Sequence, residues 1–515
     1  MQSRSKSSTF VVLNALMWTI TFRPGQVYSL SAVTRTAWSK NLRPFSSSFQ
    51  RLPILASTLQ DGIDDSVATT SDSKKKSSST SSSLLPRVIL KRNQQSKSFR
   101  DGNQLVFSGS ILKTIGRVEM ASLVQVEVPV SSDNNNTQTQ LLGWGVYNPN
   151  SMYRVRLLCH SLIRPKFSSD MKKSSNAQNP NDCLEQILSS GFEKALQTRQ
   201  IMGLPSTDTD TYRLVNGEGD GISGLAVDII GDKIAVIMSS AAWCQVHRST
   251  IMTTLQRVIP QHELIWKTTP SRLRQDGYEI VDDNDDNDEA EVEGQPIIGL
   301  ENGIQYQTFP NLKGQKTSVY CDQRENRRNL AQLSKGKRFL DLCCYHGGFA
   351  LNAARAGAAR VVAIDSSQDA IDTSMSNAEM NGLHDIEFIK SDISEFMQSC
   401  DEKFDMIVLD PPKLAPSVSG LAKASRKYHS LNRDALKLFS EEGGLFMTCT
   451  CSAAMTQKDG GNYFLQMVQQ ASLAAQREIT LLRVSGAAPC HTQSPASFPA
   501  GNYLTAALFY VHRRE

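Results

Sequence analysis

Beyond Phe22 the chain has no apolar run approaching the roughly 20 residues that cross a bilayer, so nothing after that point reads as membrane-spanning. It has no Cys-x-x-Cys pair, and its ten cysteines are scattered singly or as odd neighbours. That excludes a small secreted disulfide scaffold and makes reduced thiols the expectation. The first 60 residues contain no Asp or Glu but seven basic residues: Arg4, Lys6, Arg23, Arg35, Lys40, Arg43 and Arg51. An acid-free, Arg- and Ser-rich start has the composition of an organelle transit segment. The apolar stretch Phe10 to Phe22, with Ser-Leu-Ser-Ala at 29–32, adds the pattern of a signal-peptide core and cleavage site. The expected destination is a plastid or a mitochondrion, or the cytoplasm if the segment is not a targeting signal. The formal charge is +4, of which this leader supplies +7, leaving −3 for the rest. Bulk charge therefore makes no case for a polyanionic partner, and any basic surface must be local.

What is present falls into segments, as 515 residues suggest. Residues 1–83 read as the leader and a Ser/Thr/Lys-rich linker with no capacity for a core. Residues 84–167 carry short β-like runs: Arg87–Leu90, Leu105–Phe107, Val124–Val128 and Arg154–Leu158. Gly102, Gly109, Gly116, Gly143 and Gly145 punctuate them, which predicts a small β-barrel. Between 86 and 166 eleven Lys/Arg stand against four Asp/Glu, a local +7. Residues 182–300 alternate a helical pattern over Asp182 to Gln200 with strands at Leu225–Ile230 and Ile234–Met238 and a helix over His247 to Val258, an α+β domain. It closes on eight acids between Asp282 and Glu293, expected to be a disordered loop insertion. Within 301–515, strands and helices alternate from Arg338 onward, which predicts an α/β fold with a doubly wound, mainly parallel Rossmann-like sheet.

Ligands on such sheets sit at the carboxyl ends of the strands, so the residues there carry the chemistry. The first strand leads into Asp341-Leu-Cys-Cys-Tyr-His-Gly-Gly, where Gly347 and Gly348 would let backbone approach a ligand. The second strand ends at Asp365, placed to accept from ribose hydroxyls, and the third is followed by Asp392, placed to meet an adenine amino group. The fourth ends in Asp410-Pro411-Pro412-Lys413. Each piece alone is weak, since a strand-terminal Asp is often a helix cap. Four in order, without the Gly-x-Gly-x-x-Gly spacing of dinucleotide sites in the first turn, point to S-adenosylmethionine.

The chain resembles the bacterial-type large-subunit (23S) ribosomal RNA cytosine-5 methyltransferases that carry an N-terminal PUA domain. The resemblance spans about 86–513 and rests on four stretches: Tyr147-Asn-Pro-Asn-Ser with Arg154-Val-Arg; Tyr212 to Asp228; Gln315-Lys-Thr-Ser-Val-Tyr-Cys-Asp-Gln-Arg; and Asp341 to Gly348 with Asp410-Pro-Pro-Lys and Cys451-Ser. It implies a PUA-like, RNA-binding fold for 84–167 and a class I methyltransferase domain for 301–515. It also implies that Asp322, Gln323 and Arg324 lie beside the methyl donor, that Asp341, Tyr345, Gly347 and Gly348 wrap its methionine part, and that Asp365 and Asp392 hold its adenosine. The sequence departs from the family at Asn103-Gln104-Leu105, where a His-Pro-Trp-like lead is usual, and at His346, where Thr is usual. The segments 133–139, 168–181 and the acidic run read as insertions.

Carbon 5 of cytosine is a poor nucleophile until a thiolate adds to carbon 6, so the chemistry needs a reactive cysteine near the donor. Cys451, past the fifth strand, matches the family's Cys-Ser nucleophile; Cys449, two residues earlier, is the fallback. Most unpaired cysteines are simply buried apolar side chains. A metal site from Cys343, Cys344, Cys449 and Cys451 fits no common zinc spacing, so no metal is expected. Asp410 would orient the target base, and Lys413 would meet phosphate or only solvent. His491 aligns with a family histidine but reads more readily as a packing residue.

The expected activity is therefore formation of 5-methylcytosine in large-subunit ribosomal RNA through a cysteine–C6 adduct. The alternatives are methylation of another nucleobase such as guanine, where Cys-Ser after the fifth strand would be absent, or a noncatalytic RNA-binding assembly factor. The expected partner is ribosomal RNA, with no membrane in the mature form; nothing in the sequence selects between a monomer and a homodimer.

Overall fold

The structure, a computed structural model, describes residues 85–92, 102–130, 138–164, 167, 169–170, 179–280, 296–309, 320–415, 417–495 and 498–514. The leader, the linker to residue 83, the acidic run, residues 133–137 and 171–178 of the expected insertions, and Gln315-Lys-Thr-Ser-Val lie outside them. No helix among the described residues is long and apolar enough to cross a membrane.

Six strands form the first sheet: β1 (Arg87–Leu90), β2 (Leu105–Phe107), β3 (Ile111–Ile115), β4 (Leu123–Pro129), β5 (Thr139–Tyr147) and β6 (Tyr153–His160), in the order β2-β6-β5-β4-β1-β3. The edge strands β2 and β3 are separated only by the turn Ser108–Ser110. A flat sheet would hold them five strand spacings apart, about 24 Å. Four residue steps reach about 14 Å, so the sheet has to curl toward a barrel. Gly143 and Gly145 do not punctuate strands, as the sequence suggested; both lie inside β5. A Cβ at Gly143 would meet the Cys159 carbonyl oxygen at 2.0 Å, and one at Gly145 the Arg156 oxygen at 2.4 Å. The close approach of β6, not a turn, requires them.

The middle region begins with α1 (Pro180–Ile201), capped by the Asn179 side chain and carrying a proline in its first turn. Strands β7 (Tyr212–Asn216), β8 (Leu225–Ile230), β9 (Ile234–Ser239) and β10 (Glu263–Thr268) form a sheet ordered β10-β9-β8-β7, with helices α2 (Ala242–Val246), α3 (Arg248–Val258) and α4 (Pro270–Gln275) between and after them. The hairpin β11 (Ile297–Glu301)–β12 (Ile304–Thr308) follows. Asn302 and Gly303 both have positive φ (53° and 75°), the two-residue turn that matches strand twist.

The last region holds α5 (Arg324–Ala331), β13 (Arg338–Leu342), α6 (Gly348–Arg355), β14 (Arg360–Asp365), α7 (Gln368–Met380), β15 (Ile386–Lys390), α8 (Ile393–Ser399), β16 (Met406–Leu409), α9 (Leu421–Leu436), β17 (Gly444–Thr450), α10 (Ala453–Gln457), α11 (Asn462–Ala474), β18 (Ile479–Ser485) and β19 (Thr505–Val511). The sheet order is β15-β14-β13-β16-β17-β19-β18; the first five strands are parallel and β19 runs against both its neighbours. Alternate residues of the central strands feed two cores. Leu340, Leu342, Ile407 and Phe446 face one side with α9 and α11, and Phe339, Val408, Met447 and Cys449 face the other with α6. The helix after β16 starts only at Leu421, because residues 410–415 form a loop led by Pro411 and Pro412.

Buried polar joints link the three regions. Asp276, after α4, accepts from Asn148 Nδ2, Ser151 Oγ, Arg156 Nη2 and the Ala242 N–H at 2.5–3.3 Å. Arg199 of α1 is fully buried, donates to both Asp220 oxygens (2.6 and 2.9 Å) and reaches the Cys490 carbonyl (2.6 Å). Thr492 Oγ1 donates to Asp220, and a Cβ on Gly219 would strike the Thr492 oxygen at 2.0 Å.

Asp276→Ala would take the carboxylate from the Ser151 hydroxyl, the Ala242 N–H and the buried Arg156 guanidinium, which would keep only Ser223 and the longer contact to Glu218. The expected loss is about 3–5 kcal/mol in urea unfolding. A loss within about 0.5 kcal/mol, as for an ordinary surface change, would show that this carboxylate does not hold the joint.

Candidate active site

β13 has β14 on one side and β16 on the other, so the connections leave it in opposite directions. This is the switch point where an open α/β sheet leaves a crevice at the carboxyl ends of its strands. A cavity of ≈50 Å³ lies there, lined by Cys343, Cys344, Tyr345, His346, Gly348 and Phe349 after β13, by Asp410 after β16, and by Tyr306, Tyr320 and Arg327.

The loop after β13 is bent by three left-handed residues: Cys343 (φ 69°), Tyr345 (φ 49°) and Gly347 (φ 81°). Two of them are not glycine, a strain of about 1–3 kcal/mol each that surrounding contacts must hold. They do so at several points. Asp365 Oδ2 accepts the Tyr345 N–H (3.0 Å), Ser374 Oγ donates to the Tyr345 carbonyl (2.7 Å), and Asn377 Nδ2 donates to the His346 carbonyl (3.1 Å). Tyr345 stacks on His346 at 3.7 Å between ring centroids, and Tyr320 meets its edge at 5.0 Å.

Of the expected donor residues, Asp341 lies within β13, wholly buried. Its Oδ2 accepts the Ala350 N–H (2.9 Å) in the first turn of α6, and its Oδ1 has no partner among the described residues. Burial pushes this carboxyl up to about 7; the Ala350 N–H opposes the rise and the Asp410 charge adds to it. Asp365 sits at the end of β14 with one backbone N–H on each oxygen, from Tyr345 and from Ser367, which leaves lone pairs for hydroxyl donors. Asp392 is exposed and caps α8, accepting from the Ser394 and Glu395 N–H groups.

Asp322 and Gln323 stand in a short turn before α5. Gln323 Nε2 donates to Asp410 Oδ2 (2.9 Å) while its oxygen accepts from Asn326 (2.6 Å), so it pins Asp410 from the other side of the crevice. Asp322 Oδ2 accepts from Tyr503 Oη (2.7 Å), and its Oδ1 is buried without a partner among the described residues. Asp410 is held up to about 7, by burial first and then by the Asp322 charge.

One expectation changes, that for Arg324, while His491 packs as expected. Arg324 turns away from the cavity and donates to Cys490 Sγ (3.4 Å); Arg327, one turn later, lines the cavity and pairs with Glu301 (2.7 Å). Gly348 makes room for that arginine, since an added Cβ would lie 2.5 Å from Arg327 Nε. His491 is buried at the joint beside Cys490; burial, then the charges of Arg213, Arg324 and Arg199, drive its pKa well down and keep it neutral. Neither Arg327 nor Glu301 had a local signal, because the pair spans two separate elements.

Cys451 lies in the turn after β17, half-buried. Thr450 Oγ1 donates to Tyr428 Oη (2.8 Å), and Ser452 caps α10 while its hydroxyl donates to the Ala415 carbonyl (2.6 Å). The loop carrying Asp410 is thus tied to the turn carrying Cys451. Tyr320, partly exposed, lines the cavity at its rim, and partial burial, then the charges of Asp322, Cys451 and Asp410, push its hydroxyl pKa up. Cys449 is wholly buried in the core, and burial holds its thiol well above the usual range. Lys413 is exposed. No group of side chains suited to a metal ion occurs among the described residues.

An unpartnered Asp341 oxygen, Asp365 with spare lone pairs and a backbone bent by Gly347 suit a ligand bearing an ammonium group and a ribose. Because Asp341 and Asp410 sit above the unfolded carboxyl value of about 3.9, the folded state holds protons that the unfolded chain has released. Their stabilising contribution is complete below about pH 4 and is lost as pH rises through about 7. Asp410→Asn, whose amide oxygen can still accept from Gln323, should flatten this fall in thermal midpoint between pH 4.5 and 8. An unchanged slope in both Asp410→Asn and Asp341→Asn would contradict the assignment.

A family model described as a PUA-like domain matches residues 88–160, and one described as a methyltransferase domain matches residues 333–491. The chain is 27% identical over 430 residues to the ribosomal RNA large subunit methyltransferase I of Escherichia coli (strain K12), covering 81% of this chain and 97% of that one. The enzyme of the same name from Klebsiella pneumoniae (strain 342) is 28% identical over 435 residues, with 81% and 96% covered. Among solved structures, a methyltransferase complexed with SAH superposes with TM-score 0.62 at 21% identity over 83% of this chain and 99% of its own. A Streptococcus mutans protein described as a SAM-dependent methyltransferase gives 0.61 at 20%, over 82% and 99%. The chain thus carries a PUA-like domain followed, after an α+β region, by a Rossmann-like methyltransferase domain.

Proposed function

We propose that this protein is an S-adenosylmethionine-dependent methyltransferase that forms 5-methylcytosine in large-subunit ribosomal RNA, with Cys451 as the nucleophile. The observation that carries the cytosine chemistry is the half-buried Cys451 at the carboxyl end of β17, tied through Ser452 to the loop of Asp410. The RNA substrate is supported by the names of the relatives and by the PUA-like domain with its local +7. The acid-free first 60 residues favour an organellar ribosome.

Asp365 would hold the donor's ribose, Asp392 its adenine amino group, and Asp341 with the loop to Gly347 its methionine part; Asp322 and Gln323 lie beside it. When bound, S-adenosylmethionine supplies a methyl group on a sulfonium sulfur, the electrophile for an activated carbon 5. Cys451 activates the base: its thiolate adds to carbon 6 and the C5–C6 electron pair moves to carbon 5. Once carbon 5 has lost its proton to a base, the sulfur–carbon 6 bond breaks and Cys451 returns to thiolate. Asp410, with Oδ2 engaged by Gln323, has Oδ1 to accept from the exocyclic amine and fix the ring.

Cys451→Ala should abolish methyl transfer, read by bisulfite sequencing of organellar large-subunit ribosomal RNA, while calorimetric donor binding stays intact. Cys449→Ala should keep transfer and lose stability only. Full transfer by Cys451→Ala would sink the mechanism.

A further inference from the structure

Helices α9 and α11 enclose a groove of ≈420 Å³, walled by Ser425, Arg426 and His429 on one side and Tyr463, Gln466 and Gln470 on the other, with Met467 in its floor. Both walls start at the catalytic loops. α9 follows the loop of Asp410, and α11 follows the turn of Cys451 through the five-residue α10. The Ser425 and Tyr463 hydroxyls meet across the groove at 2.9 Å, so the walls are fixed relative to each other. Lys458 Nζ lies 3.9 Å above the Tyr463 ring. The charge is one-sided: segments 411–436 and 451–475 contain two acids, Asp434, which pairs with Arg433, and Asp459, against Lys413, Lys423, Arg426, Lys427, Arg433 and Lys458. Lys423, Arg426 and Lys458 are exposed and have no ion-pair partner within 4.0 Å among the described residues.

We propose that this groove is the track for the single-stranded RNA flanking the target nucleotide, with Arg426 and Lys458 on phosphates and Gln466, Gln470 and His429 on base edges. The inference rests on the RNA reading above. A base modified at carbon 5 has to leave the stack, so its neighbours enter the site as single strand. A basic groove with an aromatic ring and amide side chains is what such a strand binds. The shared starting points put the first turns of both walls on the side of the sheet where the Asp410 and Cys451 loops lie. An acidic protein partner would use the same charge but has no need of a groove that opens on the catalytic loops.

The test is binding of a fluorescein-labelled 12-nucleotide single-stranded oligocytidylate by anisotropy over a salt series, alongside steady-state methylation of a large-subunit ribosomal RNA transcript. Arg426→Glu with Lys458→Glu should weaken oligonucleotide binding roughly tenfold and lower the salt slope by about 1.4, two phosphate contacts at about 0.7 each. KM for the transcript should rise while calorimetric donor binding and the thermal midpoint hold. Lys403→Glu with Lys437→Glu, an equal two-charge reversal at the far end of α9, should leave binding unchanged and so separates a groove from a general charge effect. Unchanged affinity and slope in the double variant of an enzyme that does methylate RNA overturns the groove alone, and leaves it to a protein partner or to none. A wild-type protein that neither binds nor methylates RNA overturns the RNA reading, and the groove with it.

Discussion

In the seven-stranded sheet β13 has neighbours reached by connections running opposite ways, and the crevice at its carboxyl end exists because of that. With β14 and β15 laid down on one side and β16 and β17 on the other, no connection covers the carboxyl end of β13. Its loop must then fold over the gap by itself. It does so with three left-handed residues, pinned by Asp365, Ser374 and Asn377 from the β14–α7 side. Two carboxylates, Asp341 beneath and Asp410 opposite, are left in a place where burial makes ionisation costly. A positively charged ligand would relieve that cost, which is one physical reason for a sulfonium donor to seat there.

The stretches that carry the family resemblance divide their work. Asn148, Ser151 and Arg156 converge on Asp276 and join the PUA-like domain to the middle region. Asn216, Gly219 and Asp220 do the same between the middle region and Thr492 of the methyltransferase domain. Glu218, between them, has Gln104 bonded to its carbonyl and Ser223 to its carboxylate. These motifs therefore set how the basic sheet and the crevice are held relative to one another. Under the proposed function, that relation would decide which nucleotide of a docked RNA reaches the crevice.

The inner parallel strands β13, β14, β16 and β17 were legible because each is buried on both faces and reads as a short apolar run, as in Val361-Val-Ala-Ile-Asp365. β18 was not: Leu481, Leu482 and Val484 are exposed on an edge strand, and neither alternation nor a buried run marks them. The Asn302-Gly303 turn did carry a hairpin signal, which a reading by apolar periodicity passes over. In the site, strand-end position found Asp341, Asp365 and Asp410, since topology alone brings those ends together. It could not choose between Arg324 and Arg327, three residues apart on α5. That choice is made by Glu301, buried in the preceding hairpin, and no local pattern records it.

The proposed chemistry stands or falls on a bond between Cys451 and cytosine carbon 6. Ribosomal RNA carrying 5-fluorocytidine cannot release fluorine from carbon 5 as a proton is released, so the adduct should accumulate. Incubated with S-adenosylmethionine and this RNA, the protein should form a denaturation-stable complex, and digestion should place the nucleotide on the peptide containing Cys451. A methylated product with no such adduct, or an adduct on Cys449, would contradict the account.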